Sequence, residues 1–145
     1  MNILVINGPN LDMLGKREPE KYGDQTLESL EELLRNTYPD HSFTFFQSNH
    51  EGAIIEEIHK FVTYSGIDGA MANFGGFTHT SVAIRDALHM LNIPKVEIHI
   101  TNIHAREAFR HKSITAGACN GVIAGFGFNS YILGVKALEL LHKDQ

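Results

Sequence analysis

A three-layer α/β sandwich built on a five-stranded parallel sheet is the fold this sequence predicts, and three observations carry the prediction. Five short apolar runs alternate with four longer segments whose apolar residues recur at helical spacing, the β-α alternation of a sheet with right-handed crossovers. Strand candidates stop at glycine, asparagine or proline, as buried strands do on meeting a turn. Polar and cationic residues gather past the carboxyl ends of two strands, the edge where open parallel sheets bind ligands.

Ile3 to Ile6 is the first apolar run, closed by Asn7, Gly8 and Pro9. A polar stretch from Asn10 to Asp24 follows, with Gly15, Pro19 and Gly23 among Lys16, Arg17, Glu18 and Lys21. It is long for a connection in a compact domain, and residues 11–24 read as a lid over the sheet edge. Leu27, Leu30, Leu33 and Leu34 set the apolar side of a first helix that ends near Tyr38-Pro39. Ser42 to Gln47 is an aromatic-rich strand, and Ser48 with Glu51 has the capping-box spacing for a second helix. That helix carries a buried stripe of Ile54, Ile55, Ile58, Phe61 and Val62 and ends at Gly66. Ile67 to Ala72 is a strand of small residues, followed by Asn73, Gly75, Gly76, Thr78, His79, Thr80 and Ser81. Val82, Ala83, Ala87, Leu88 and Leu91 mark a third helix, which Asn92 and Pro94 turn into the fourth strand.

In that fourth strand scaffold gives way to chemistry. Val96, Ile98 and Ile100 read as one face, while Glu97 and His99 point from the other. Thr101, Asn102, His104, Arg106 and Arg110 follow, a density of donors and cations that core packing does not require. Gly121 to Gly125 encloses Val122, Ile123 and Ala124 as a last strand, and Tyr131 to Leu141 closes the chain as a helix with Ile132, Val135, Leu138 and Leu141 on its apolar side. Periodicity does not reveal strand order. For five strands of this size a flavodoxin-like 2-1-3-4-5 order is adopted, which sets the ends of strands 1 and 3 beside the switch point.

The 145 residues fit one domain, 1–145, able to bury a core without disulfides or metal. A net charge of −5 argues against a general nucleic-acid surface but leaves room for an anionic small ligand at a local arginine cluster. Cys119 is the only cysteine, which is compatible with a reducing cytoplasm. The opening MNILVI lacks the regions of a secretory signal, and no apolar run reaches the length of a membrane span. A soluble cytoplasmic protein is expected.

Several familiar motifs nearly fit. Six residues separate Gly8 from Gly15 where a phosphate loop needs four, and Arg17 stands where its magnesium-binding hydroxyl belongs. Gly125-Phe126-Gly127 comes too late for a dinucleotide fingerprint. The nine histidines form no HExxH pattern and have no cysteine cluster beside them, and no serine sits in a GxSxG elbow. Acid–base chemistry on a small polar substrate is what remains, with Tyr22, His79, His99, Arg17, Arg106 and Arg110 as the available groups.

The chain also resembles the type II 3-dehydroquinate dehydratases, through NGPNLDMLGKREPEKYG at 7–23, FQSNHEG at 46–52, GGFTHTSVAIRDAL at 75–88, VEIHITNIHAREAFRHKS at 96–113 and GVIAGFG at 121–127. Together these cover nearly the full length in the family's order. The resemblance implies a flavodoxin-like fold and the reversible conversion of 3-dehydroquinate to 3-dehydroshikimate through an enolate. It further implies no metal, Schiff base or cofactor, and a homododecamer arranged as a tetramer of trimers.

By the same resemblance Tyr22 is the general base that removes a proton from C2, beside the ring carbonyl. A tyrosine free in water has a pKa of about 10, so lowering it to about 7 takes roughly 4 kcal/mol of phenolate stabilisation. Arg17 and Arg106 are the matching cations that could supply it. Asn10 matches the asparagine that helps hold a water against the enolate oxygen, where donors that strengthen as charge develops favour the transition state. His99 matches the general acid that protonates the departing C1 hydroxyl, and Glu97 is placed to fix its tautomer.

Asn73 and Thr101, with backbone amides near Ile100 and Thr101, match the groups that hold the carboxylate. His79 and Arg110 match those that contact ring hydroxyls, and Asp86 matches an acidic residue that reaches a neighbouring subunit's site. Three positions depart from the pattern. Asn73-Phe74-Gly75-Gly76-Phe77 lacks the common proline, which should loosen the turn that positions Asn73 unless Phe74 restores order by packing. Thr101 replaces serine but keeps the hydroxyl, and Ser130 stands where glycine is usual, with a shifted start of the last helix as its expected effect. Apart from the enzyme, the residues admit a non-catalytic module for an anionic metabolite, a flavin-bearing electron carrier, or a subunit whose role is assembly.

Overall fold

The computed structural model describes residues 1–16, 20 and 25–145. Five parallel strands, β1 (Asn2–Asn7), β2 (Ser42–Gln47), β3 (Gly69–Asn73), β4 (Lys95–His99) and β5 (Gly121–Ala124), form one sheet in the order β2-β1-β3-β4-β5. The helices are α1 (Leu27–Thr37), α2 (Glu51–Tyr64), α3 (Val82–Met90) and α4 (Asn129–Lys143). This is the expected flavodoxin-like sandwich, with the expected strand order.

Alternation along the strands sorts the core into two layers. Ile3, Val5, Met71, Val96, Ile98 and Ile100 pack with Leu30 and Leu34 of α1 and Val135 and Leu138 of α4. Leu4, Ile6, Ala70 and Ala72 pack with Ile54 and Ile58 of α2 and Ile84, Ala87 and Leu88 of α3. Gly134 shows how closely α4 lies on the sheet: a Cβ there would stand 2.5 Å from the Met71 sulfur and 2.7 Å from Ile98 Cδ1. A mid-helix glycine costs about 1 kcal/mol against alanine. Here any side chain would lift the helix off its seat.

Some local expectations are corrected. Ser48 does not cap α2: the N-cap is His50, without a side-chain bond, and the Ser48 hydroxyl instead accepts from the His50 amide at 3.0 Å. The reciprocal capping box belongs to α1, where Thr26 and Ser29 exchange bonds of 3.0 and 3.2 Å. Val62 and Val82 are 40% and 58% exposed, because the buried stripes of α2 and α3 turn on Ile54, Ile58, Ile84, Ala87 and Leu88 instead. β3 begins at Gly69 rather than Ile67, since Asp68 turns its carboxylate back to accept the Asn2 amide at 2.7 Å. Among the described residues no helix is long and apolar enough to cross a membrane.

Candidate active site

β1 and β3 are neighbours whose last paired residues, Asn7 and Asn73, lie side by side, and the chain leaves each in a tight turn. The two turns interlock. The Gly8 amide donates to the Asn73 carbonyl at 2.7 Å, and a Cβ on Gly8 would stand 2.5 Å from the Phe74 carbonyl oxygen. Gly75 takes φ +57, and a Cβ there would meet the Pro9 carbonyl at 2.9 Å. Beside this junction, at the carboxyl edge of the sheet, lies a cavity of about 130 Å³. Asn10, Asn73, His79, His99, Ile100, Thr101, Arg106 and Arg110 all line it, so eight sequence-selected residues meet in one place.

The floor is a fixed acid–base pair. Glu97 is fully buried, and its Oε2 lies 3.0 Å from His99 Nε2. Ser113 Oγ donates toward both carboxylate oxygens at 3.0 and 2.8 Å, and the Thr115 hydroxyl donates to Oε1. Burial pushes the Glu97 carboxyl up, but the bonds from His99, Thr115 and Ser113 outweigh it and hold the group below the usual carboxylate range. An ionised carboxylate can only accept, so His99 presents Nε2–H to it. Among the described residues Nδ1 has no hydrogen-bond partner, and His99 lines the cavity.

A second imidazole stands opposite. The His79 ring is 6.5 Å from that of His99 and 19° from parallel, and its Nδ1–H donates to the Lys112 carbonyl at 2.8 Å. That bond leaves Nε2 as the group able to meet a hydroxyl.

The arginines come from the loop after β4. Glu107 takes the Arg110 Nε–H at 2.8 Å and lies 3.9 Å from Arg106 Nε, holding two cations on one carboxylate. The residue's own backbone bond, then the Arg110 hydrogen bond and the charges of Arg110 and Arg106, keep the Glu107 carboxyl below its usual range. Arg106 also reaches the Thr101 hydroxyl at 3.5 Å. β4 has made its last ladder pair by His99, so the amides of Ile100 and Thr101 lie beyond the ladder at the cavity edge.

Asn73 is buried and held at both ends. Its Oδ1 accepts from Gly75 N at 3.2 Å and its Nδ2 donates to Tyr131 Oη at 3.1 Å, while Tyr131 donates to Asn7 Oδ1 at 2.5 Å. The second Nδ2 hydrogen is what remains for a ligand. Asn10 takes a left-handed φ of 68, and its amide donates to Asn49 Oδ1 at 2.9 Å.

Asp86 lies exposed on α3 and does not line this cavity. Tyr22 and Arg17, with the other residues of 17–19 and 21–24 in the expected lid, lie outside the described residues. The departures settle locally. Phe74 is fully buried, so the turn after Asn73 is packed rather than loosened. Ser130 is also buried, and its hydroxyl accepts from the Phe126 amide at 3.1 Å inside the first turn of α4, which begins at Asn129.

Sequence alone assigns no role to Ser113, Thr115, Asn49, Tyr131 or Glu107, although Asn49, Glu107 and Ser113 lie inside the matching stretches 46–52 and 96–113. Glu107 carries a further signal, being three residues from Arg110 and one from Arg106.

Comparison with known proteins identifies the family. The family profile for dehydroquinase class II matches residues 1–139. The chain is 51% identical to the 3-dehydroquinate dehydratase of Chlorobaculum tepidum over 137 residues, covering 94% of this chain and 93% of that one. It is 52% identical to that of Pelodictyon phaeoclathratiforme over 138 residues, covering 95% and 91%. Among solved structures, the type II dehydroquinase of Butyrivibrio crossotus superposes with a TM-score of 0.92 at 45% identity, covering 96% of this chain and 97% of that chain. With the family profile spanning nearly its whole length, this chain belongs to the class II dehydroquinases.

Proposed function

We propose that this cavity dehydrates 3-dehydroquinate to 3-dehydroshikimate. The observation that carries the reading is the His99 ring, fixed by Nε2–H on a buried carboxylate and open at Nδ1 beside a wall of cations. The chain's activity is that of a hydro-lyase. Tyr22 removes a C2 proton, with Arg17 and Arg106 stabilising the phenolate. A water held by Asn10 meets the oxygen of the developing enolate. His99 then protonates the C1 hydroxyl as it leaves, with Glu97 as counter-charge to the imidazolium. Asn73, Thr101 and the amides of Ile100 and Thr101 hold the carboxylate, while His79 and Arg110 contact ring hydroxyls. General acid–base steps of this kind each contribute about 10²–10⁴ in rate.

The reading includes a lid over residues 11–24 that brings Arg17 and Tyr22 to the cavity, an assembly of twelve chains as a tetramer of trimers, and a cytoplasmic location. Asp86 would serve a neighbouring copy's site rather than its own. The test is absorbance of the conjugated enone when the purified protein meets 3-dehydroquinate. Rising absorbance that a Tyr22→Phe variant abolishes is expected. Full activity in that variant would overturn the base assignment, and no absorbance change with the unaltered protein would overturn the function.

A further inference from the structure

Glu97 is a fully buried anion, and burying a charge is tolerated only where hydrogen bonds replace its water. One donor is His99, which belongs to the reaction. The others, Ser113 and Thr115, come from the loop before β5, and Thr115 is as fully buried as the carboxylate. Their protons are drawn to the charge. The Ala116 amide donates to Ser113 Oγ at 2.9 Å, and the one Ser113 hydrogen has the Glu97 carboxylate at 2.8 Å in preference to the neutral Thr115 hydroxyl at 3.4 Å. The loop is fastened from outside as well. Arg85 of α3 donates to the Ile114 carbonyl at 2.7 Å, and the Ile114 amide donates to the Thr78 carbonyl at 2.8 Å.

We infer that Ser113 and Thr115 are positioning residues for the dehydration, a hydroxyl clamp that keeps Glu97 acceptor-only and thereby holds His99 with Nε2–H inward and Nδ1 on the cavity. The inference rests on the proposed function. Without the clamp the carboxylate can rotate, or take a proton and donate it to the ring. Either change lets the imidazole adopt the other tautomer, a neutral ring whose Nδ1–H is a far weaker acid than the imidazolium that an ionised Glu97 stabilises. Partners behind a functional histidine commonly act by fixing its tautomer and orientation.

The experiment compares Thr115→Val, Ser113→Ala and Thr115→Ser in the full-length protein, with kinetics on 3-dehydroquinate and ¹⁵N NMR of the His99 ring. The clamp predicts that Thr115→Val and Ser113→Ala lower kcat roughly 10- to 100-fold, within the contribution of one general acid, with KM changed less than about threefold. It also predicts mixed His99 tautomers in both, and rescue of kcat and tautomer by Thr115→Ser. In a Glu97→Gln background Thr115→Val should add almost nothing, because both changes act through one carboxylate. Wild-type kcat with an unchanged tautomer in folded Thr115→Val would overturn the clamp, as would full additivity with Glu97→Gln. If the unaltered protein does not turn over 3-dehydroquinate, the functional reading fails instead. The ¹⁵N tautomer comparison then still decides whether the hydroxyls orient the ring.

Discussion

The two ends of β4 lie four residues apart and treat their charges in opposite ways. At the amino end the Lys95 ammonium donates to the carbonyls of Leu91 and Ile93, and burial holds its pKa below the usual lysine range. Nearby, burial pushes the Cys119 thiol up to about 12, with the Glu97 charge adding to the shift. Lys95 and Cys119 line a second, more open cavity with Asn120. Mid-strand Glu97 is just as fully engaged, but its chain of bonds ends at the carboxyl end on the His99 ring, which lines a cavity. The presence of a cavity therefore does not separate the two ends. What distinguishes the carboxyl end is a saturated charge held behind a ring nitrogen that has no hydrogen-bond partner among the described residues.

The largest expected effect breaks the comparison in activity. His99→Ala should lower kcat by about 10²–10⁴ while leaving the substrate dissociation constant nearly unchanged. Lys95→Met should leave kcat alone. Arg110→Ala should differ from both by weakening substrate binding, which calorimetry on the bound complex would report.

Stability separates the ends next. Glu97→Ala strands two hydroxyls and an imidazole N–H and should cost about 3–5 kcal/mol in denaturant unfolding. Lys95→Met leaves two carbonyls at a more open edge and should cost about 1 kcal/mol.

The pH dependence of stability sharpens the contrast further. The Glu97 pKa is lowered on folding, so its contribution is fully present above the unfolded value of 4.5 and is lost as pH falls through the lower folded value. The Cys119 pKa is raised from 9.0 to about 12, so its contribution is present below 9.0 and is lost as pH rises toward 12. Thermal melts should therefore lose an acid limb in Glu97→Gln and an alkaline limb in Cys119→Ser. The smallest effect concerns the turn. A Cβ on Gly76 meets nothing within 4 Å, so Gly76→Ala should stabilise by about 0.4–1 kcal/mol through the unfolded chain.

Much of this arrangement is legible in the sequence because it is written in short-range periodicity. Alternation in β4 separates Val96, Ile98 and Ile100 from Glu97 and His99, and the polar residues after β3 and β4 identify the functional edge. The clamp on Glu97 is not legible, since its hydroxyls lie 16 and 18 residues away in a loop without period. The Tyr131 bond to Asn7 spans 124 residues and exists only because α4 lies against the sheet. Ser48 and Glu51 have the right spacing for a cap, but the Ser48 hydroxyl closes its own turn. At α1 a serine stands at the third position where glutamate or glutamine is the usual partner, so the true box is hidden. Tyr22 and Arg17 are known from the sequence pattern alone.

Deuterium exchange at C2 of 3-dehydroquinate, followed together with enone formation in His99→Ala, tests the two-residue division of labour most directly. Proton removal by Tyr22 and loss of hydroxyl through His99 should come apart: deuterium enters C2 of recovered substrate while the enone signal is nearly lost. Enone formation in that variant at the wild-type rate would contradict the account.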